Sequence, residues 1–326
     1  MDKVKVAMIG AGALANAMHY PSLAEFADAE IVGICDLNPE RLKTTAEKFK
    51  VANTFNNYQQ MLEKTAPDAV YALMPPHVLF DVAMDVMDRG HNLFVEKPPA
   101  ITTFQTRCLA KKAEDKGLVT AVGFQRRYHP LVRRCYDEVK KVNQPHQVVG
   151  HFLKYMEPGA NYPYYRGAVD ILTSDAIHAA DSIRYYCGLA NVKKVASDVR
   201  NLDSWYPMSF NALIYFDNDA VGILHANWRT GKRSLKFEFH AAGASSYIDA
   251  DGVGEVWVKD GKTPVFQKSN VEFAGSDKAY ANQGFREENR AFIDAVKSKT
   301  QLHNNLQDAV KSMELVDLIY ANAINK

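Results

Sequence analysis

Between residue 3 and about residue 124 the sequence repeats one rhythm: a short apolar run, a turn signal, then a longer stretch with helical periodicity. Nothing else in the chain narrows its fold as far. Strands that alternate with helices are joined by crossovers, and crossovers lay strands parallel. The segment is therefore expected to form an open parallel sheet covered by helices. Lys3 to Ile9 and Ile31 to Cys35 read as the first two strands, Ala69 to Met74 as a third clear run, and Asn92 to Val95 and Val119 to Phe124 as the last. Asn38 followed by Pro39 marks a helix start, where asparagine caps an amide lacking an intrahelical acceptor and proline needs no donor. A further helix runs from about Thr103 to Lys116 and stops at Gly117, where glycine takes the left-handed conformation at least cost.

Beyond Pro130 the rhythm changes. A helix (about Leu131 to Lys141), a strand near Gln147 to Tyr155, an aromatic loop and a helix from about Ser174 to Tyr186 come first. Then follow extended segments separated only by turns, roughly Val192 to Val199, Met208 to Phe216, Ala220 to Trp228, Leu235 to Ala241 and Glu255 to Val258. Strands in succession without helices between them imply an antiparallel sheet, so this half is expected to be α+β. Two helices, about Asp277 to Lys297 and Leu306 to Asn325, close the chain. The expected division is 1–124 for an α/β domain with a parallel sheet and 125–326 for an α+β domain with a large, mostly antiparallel sheet.

At 326 residues the chain is longer than one core usually supports, which agrees with two domains. Its formal net charge is +1, and no run of like charges is long enough to track a phosphate backbone, so nucleic acid is not an expected partner. Cys35, Cys108, Cys135 and Cys187 are far apart and form no CxxC pair, which speaks against a disulfide framework or a structural zinc site and for reduced thiols in a cytoplasm. No apolar stretch reaches the roughly 18 residues that a membrane span needs. Asp2 and two glycines in the first apolar run argue against a signal peptide. No His/Asp/Glu cluster has metal-ligand spacing, so no metal is expected.

Directly after the first strand stands GAGALA. Gly10, Gly12 and Ala15 occupy the positions of the dinucleotide fingerprint: Gly10 for the tight turn, Gly12 for close approach of backbone to a pyrophosphate, and Ala15 for close packing of helix on strand. The following helix would point its amide end at the phosphates. Asp36, at the end of the second strand, stands where an acid can bind the ribose hydroxyls and repel a 2′-phosphate, which favours NAD and leaves NADP possible through Arg41. The strand Asn92 to Val95 runs into Glu96, Lys97 and Pro98. Ligands of open α/β sheets lie beyond the carboxyl ends of the strands, so Lys97 is expected to point toward the cofactor crevice and donate to a substrate oxygen. With Ala13, Leu14, Met74 and Pro75, these residues make up the expected cofactor set.

GAGALA, Asp36, VEKPP, GFQRRYHP at 123–130 and SDAIHAAD at 174–181 follow the order and spacing of one known family. Over nearly its whole length the chain resembles the glucose-fructose oxidoreductase and inositol dehydrogenase (Gfo/Idh/MocA) family. The resemblance implies a Rossmann domain, a nicotinamide cofactor, a sugar or polyol substrate, and a homodimer or homotetramer built through the C-terminal sheets. It also implies that Lys97 is the lysine of the EKP motif and His178 the catalytic histidine, suited by its titration range to accept a hydroxyl proton. In many polyol-oxidising members an aspartate precedes that histidine by four residues. Here Ser174 stands at that position and Asp175 lies three before, where it either orients His178 or serves as a helix-start acid. The loop from Tyr162 to Arg166, with Tyr165 and Arg166, suits a hydroxyl-rich ligand. Arg127, Lys154, Tyr155 and Trp228 are further candidates. The expected reaction is hydride transfer between a nicotinamide cofactor and a secondary alcohol or ketone. The alternatives are an NAD-dependent glycosidase acting by transient oxidation, or a sensor that binds cofactor without turnover.

Overall fold

A computed structural model describes residues 3–157 and 167–324. The chain divides into two units: residues 1–125 with 278–310, and residues 126–277 with 311–326. The first unit is built on six parallel strands, β1 (Val4–Ile9), β2 (Ala29–Cys35), β3 (Thr54–Phe55), β4 (Ala69–Ala72), β5 (Asn92–Val95) and β6 (Thr120–Val122), in the spatial order β3-β2-β1-β4-β5-β6. The strand order reverses direction between β1 and β4, and a sheet of this kind opens its ligand crevice there, beyond the carboxyl ends. The expected parallel sheet is thus present, with β3 added as a two-residue edge strand too short for its periodicity to be read. Asn38 caps the helix Pro39–Phe49 by accepting from the Arg41 amide, and Thr102 caps Thr103–Lys116, which ends at Gly117 with φ 63°. No helix among the described residues is long and apolar enough to cross a membrane.

The domain boundary expected from sequence needs correction. Residues 278–310 do not fold with the second half but complete the first unit. The helix Phe285–Ser298 buries Phe292, Ile293, Ala295 and Val296 in the same core as Val6, Met8, Tyr71 and Phe94. Tyr71 stacks on Phe94 at 4.6 Å between centroids, and Phe292 meets Tyr71 edge-on at 5.5 Å. Periodicity reports that a helix has an apolar face, not which sheet that face covers. The single helix expected from Asp277 to Lys297 is also two, Ala279–Asn282 and Phe285–Ser298, separated at Gly284, whose φ of 94° lies outside any helix.

The second unit carries eight strands: β7 (Gln147–Tyr155), β8 (Val192–Arg200), β9 (Ser209–Phe216), β10 (Val221–Asn227), β11 (Arg229–Ala241), β12 (Ala244–Asp249), β13 (Val253–Val258) and β14 (Phe266–Ser269). Their order is β14-β13-β12-β11-β7-β10-β9-β8, and every pair is antiparallel except β7 with β10. Sequence reading missed β12 and β14 and began β11 six residues late, because Lys232 and Arg233 interrupt the apolar alternation. Helix Pro130–Val142 packs on β11, β12 and β13, and helix Ile177–Tyr186 packs on β7 and β10. The second helix sits very close to the sheet. A Cβ on Gly222 would fall 2.3 Å from Ile183 Cγ2, so only glycine leaves room for it.

Candidate active site

The loop that leaves β1 is held from several directions. Gly10 has φ 111°, and a Cβ there would meet the Leu73 carbonyl oxygen at 2.2 Å, so a side chain is excluded twice over. The Tyr20 hydroxyl donates to the Gly10 carbonyl at 3.0 Å, and the Asn16 amide nitrogen donates to the Ala11 carbonyl at 2.9 Å. Asp36 Oδ2 accepts from the Ala11 amide at 2.8 Å. The carbonyls are thereby tied back, and the first-turn amides of the helix from Ala13 onward have no intrahelical acceptor. Ala13 and Leu14 are exposed, and a Cβ on Gly12 would meet nothing within 4 Å. A pyrophosphate fits this open cradle at a helix N-terminus. Met74 and Pro75 follow β4 at the same edge of the sheet, since all six strands run in one direction. Asp36 is already engaged: its Oδ1 accepts from the Asn38 amide at 2.8 Å and from Arg41 Nη2 at 3.1 Å. Arg41 is therefore tied to the Asp36 carboxylate.

At the end of β5, Glu96 is buried and organises the residue that follows it. Its Oε2 accepts from the Lys97 amide at 3.1 Å, and its Oε1 lies 3.0 Å from His19 Nε2. The other ring nitrogen of His19 lies 3.1 Å from Asn289 Oδ1, and the Asn289 amide donates to Ser22 Oγ at 3.0 Å. Gly123 makes this possible: a Cβ on it would come within 2.8 Å of Glu96 Oε1. Lys97 itself is half-buried, and the Lys97–Pro98 peptide is cis. Glu96 thus serves as a support beneath Lys97. Sequence reading did not find His19 or Asn289. An isolated histidine carries no spacing signal, and Asn289 lies 270 residues from its partner.

In the second unit, a π-helical turn at Leu172–Ala176 leads into the helix Ile177–Tyr186. It brings Asp175 and His178 to the wall of one small recess of about 30 Å3, shared with Lys154, Arg126 and Arg233. Asp175 Oδ2 is ion-paired with Lys154, whose ammonium also lies 5.4 Å from the centre of the Trp228 ring. Two of the expected substrate residues are otherwise committed. Arg127 is wholly buried and donates through Nε to Asp181 Oδ2 at 2.8 Å and through Nη2 to Asp181 Oδ1 at 2.5 Å, which makes it a structural ion pair and not a sugar-binding fork. Ser174 is buried, and its hydroxyl donates back to the Asp170 carbonyl at 2.6 Å, one helical turn earlier. Tyr155 is exposed, with its hydroxyl donating to Glu157 at 2.7 Å. Tyr165 and Arg166 lie outside the described residues.

Residues 4–124 match the model of an oxidoreductase family with an NAD-binding Rossmann fold. The D-glucoside 3-dehydrogenase of Escherichia coli K12 is 31% identical over 125 residues, which are 38% of this chain and 36% of that enzyme. That match spans about a third of the relative's length. The scyllo-inositol 2-dehydrogenase (NAD(+)) of Bacillus subtilis 168 is 24% identical over 69% of this chain and 67% of its own. Among solved structures, a dehydrogenase from Chromobacterium violaceum superposes with a TM-score of 0.89 at 20% identity, over 99% of this chain and 96% of that one.

Proposed function

We propose, from its resemblance to the glucose-fructose oxidoreductase and inositol dehydrogenase family, that this chain is an NAD(P)-dependent dehydrogenase acting on a secondary alcohol or ketone of a sugar, inositol or sugar derivative. One observation carries the reading. At the carboxyl edge of one parallel sheet the structure sets an open glycine cradle beside strand β1 and a lysine at the end of β5, whose backbone is anchored by the buried Glu96–His19–Asn289 chain. The cradle residues Gly10, Gly12, Ala13, Leu14 and Ala15, with Asp36, Met74 and Pro75, would hold the dinucleotide, and Asp36 favours NAD over NADP. When bound, that cofactor supplies a hydride acceptor or donor.

The chain's own groups handle the proton. Lys97 donates a hydrogen bond to the reacting oxygen, and His178 takes the hydroxyl proton during oxidation and returns it during reduction. Asp175, ion-paired with Lys154, supports the charge that His178 then carries. The four cysteines are unpaired, which suits a reducing compartment such as a cytoplasm. Copies of the chain would pair through the sheet face turned away from the helices, where Leu213, Tyr215, Ile223 and Tyr247 are at least partly exposed.

The test is a panel of sugars, inositols, sugar acids and sugar phosphates with NAD and NADP, followed at the absorbance of the reduced nicotinamide. Lys97→Ala is expected to lower kcat by about 10²- to 10⁴-fold, the range of a general acid or base, while NAD affinity by titration calorimetry stays within a few-fold of the wild type. An active Lys97→Ala protein, or a wild type that binds neither oxidised nor reduced dinucleotide, refutes the reading.

A further inference from the structure

We propose, building on the dehydrogenase reading above, that the substrate is a sugar acid whose carboxylate enters the recess beside His178 and neutralises Arg126. Arg126 is only 9% exposed, yet its Nε and Nη1 have no hydrogen-bond acceptor among the described residues. A guanidinium does not give up its proton, and a buried charge without a partner is costly, so the site calls for an anion. The carboxylates that face it are already engaged. Asp175 and Asp251 act on Arg126 across space, but each is ion-paired with another cation, Lys154 and Arg233, so among the described residues three cations meet two carboxylates and one positive charge is in excess. Burial, and secondly Arg233, pushes the Arg126 pKa down to about 10, which still leaves it charged at neutral pH. Neighbouring His129, held neutral with its pKa pushed down to about 3 by burial and then by Arg126, contributes no opposing charge.

Charge selects the anion. The recess of about 30 Å3 has room for the two oxygens of a carboxylate. One unmatched positive charge is complemented by a monoanion. His178 lines the same recess, so the carbinol to be oxidised lies within a few bonds of the acid group. Uronates and aldonates have this arrangement, and neutral sugars and inositols lack the charge.

The experiment compares D-galacturonate, D-glucuronate and D-gluconate with D-galactose, D-glucose, D-sorbitol and D-glucose 6-phosphate, by turnover with NAD and by calorimetry on NADH-loaded protein. The wild type is expected to favour the acids in kcat/KM by about 100-fold, the scale of a charged hydrogen-bonded pair. Arg126→Gln should reduce that ratio to near unity, mainly through KM, with Arg126→Lys in between. A preference for neutral or phosphorylated compounds, binding of none of the acids, or an Arg126→Gln loss equal for acids and neutral sugars overturns the proposal. Should no compound turn over, the dehydrogenase reading fails, while Arg126-dependent binding confined to the carboxylates would still uphold the recess as an acid site.

Discussion

Arg126 and Arg127 are neighbours with opposite fates. Arg127 meets Asp181 through two bonds, Ser312 Oγ adds a third to Asp181 Oδ1 at 2.7 Å, and the Tyr185 ring lies 5.2 Å from the guanidinium carbon. Removing one partner of such a pair strands the other charge in the interior. Arg127→Ala is expected to lower the unfolding free energy by about 3–5 kcal/mol, read by urea denaturation, with KM for substrate little changed in the protein that remains folded. A stable Arg127→Ala protein with a raised KM would return the residue to the substrate site. In the sequence both arginines stand in GFQRRYHP and look alike. What separates them is a carboxylate 54 residues further on, which no local pattern announces. Lys97, by contrast, was legible, because its position at a strand end follows from the alternation itself.

The element that matters most to the candidate site is the helix Ile177–Tyr186 with the π-helical turn before it. Its height above the sheet is set by Gly222, with Gly150 also beneath it, where an added Cβ would come within 3.2 Å of Ile183 Cδ1. Gly222→Ala is expected to force the helix outward at a cost of about 1–3 kcal/mol, the range for overpacking, and to lower kcat by displacing His178 while NAD affinity holds. Ile183→Ala, introduced second, should relieve much of that cost, and a double-mutant cycle by thermal or urea unfolding measures the coupling. Strictly additive effects would mean that the helix does not rest on that glycine. Helix ends capped by Asn38 and Thr102 or closed at Gly117 were readable, since a cap is a contact over three or four residues. The break at Gly284 was missed, although a glycine inside an otherwise periodic run was its local signal.

On the scale of the whole molecule, the return of residues 278–310 to the first unit ties its stability to the far end of the chain. Phe292 and Ile293 are fully buried in its core, and Asn304 bonds to the Val122 carbonyl at 2.8 Å. A fragment ending at residue 125 therefore exposes a core face and lacks Asn289 behind His19. It is expected to show neither cooperative unfolding by circular dichroism nor NADH binding by fluorescence titration. A folded, cofactor-binding fragment would show that the boundary expected from sequence was sufficient after all.

Periodicity, turn residues and the glycine spacing are properties of short windows, and from them alone followed the parallel sheet, the mostly antiparallel sheet, the glycine turn after β1 and the place of Lys97 at a strand end. Charge matching and core completion are not short-range properties. Whether an arginine is neutralised, whether a glutamate stands behind a lysine, and which sheet a helix covers depend on residues brought together from tens to hundreds of positions away, and only the folded chain decided them. Burial is what gives those pairings their weight, because a charge or an apolar face that water could accommodate at the surface must find its complement once water is excluded.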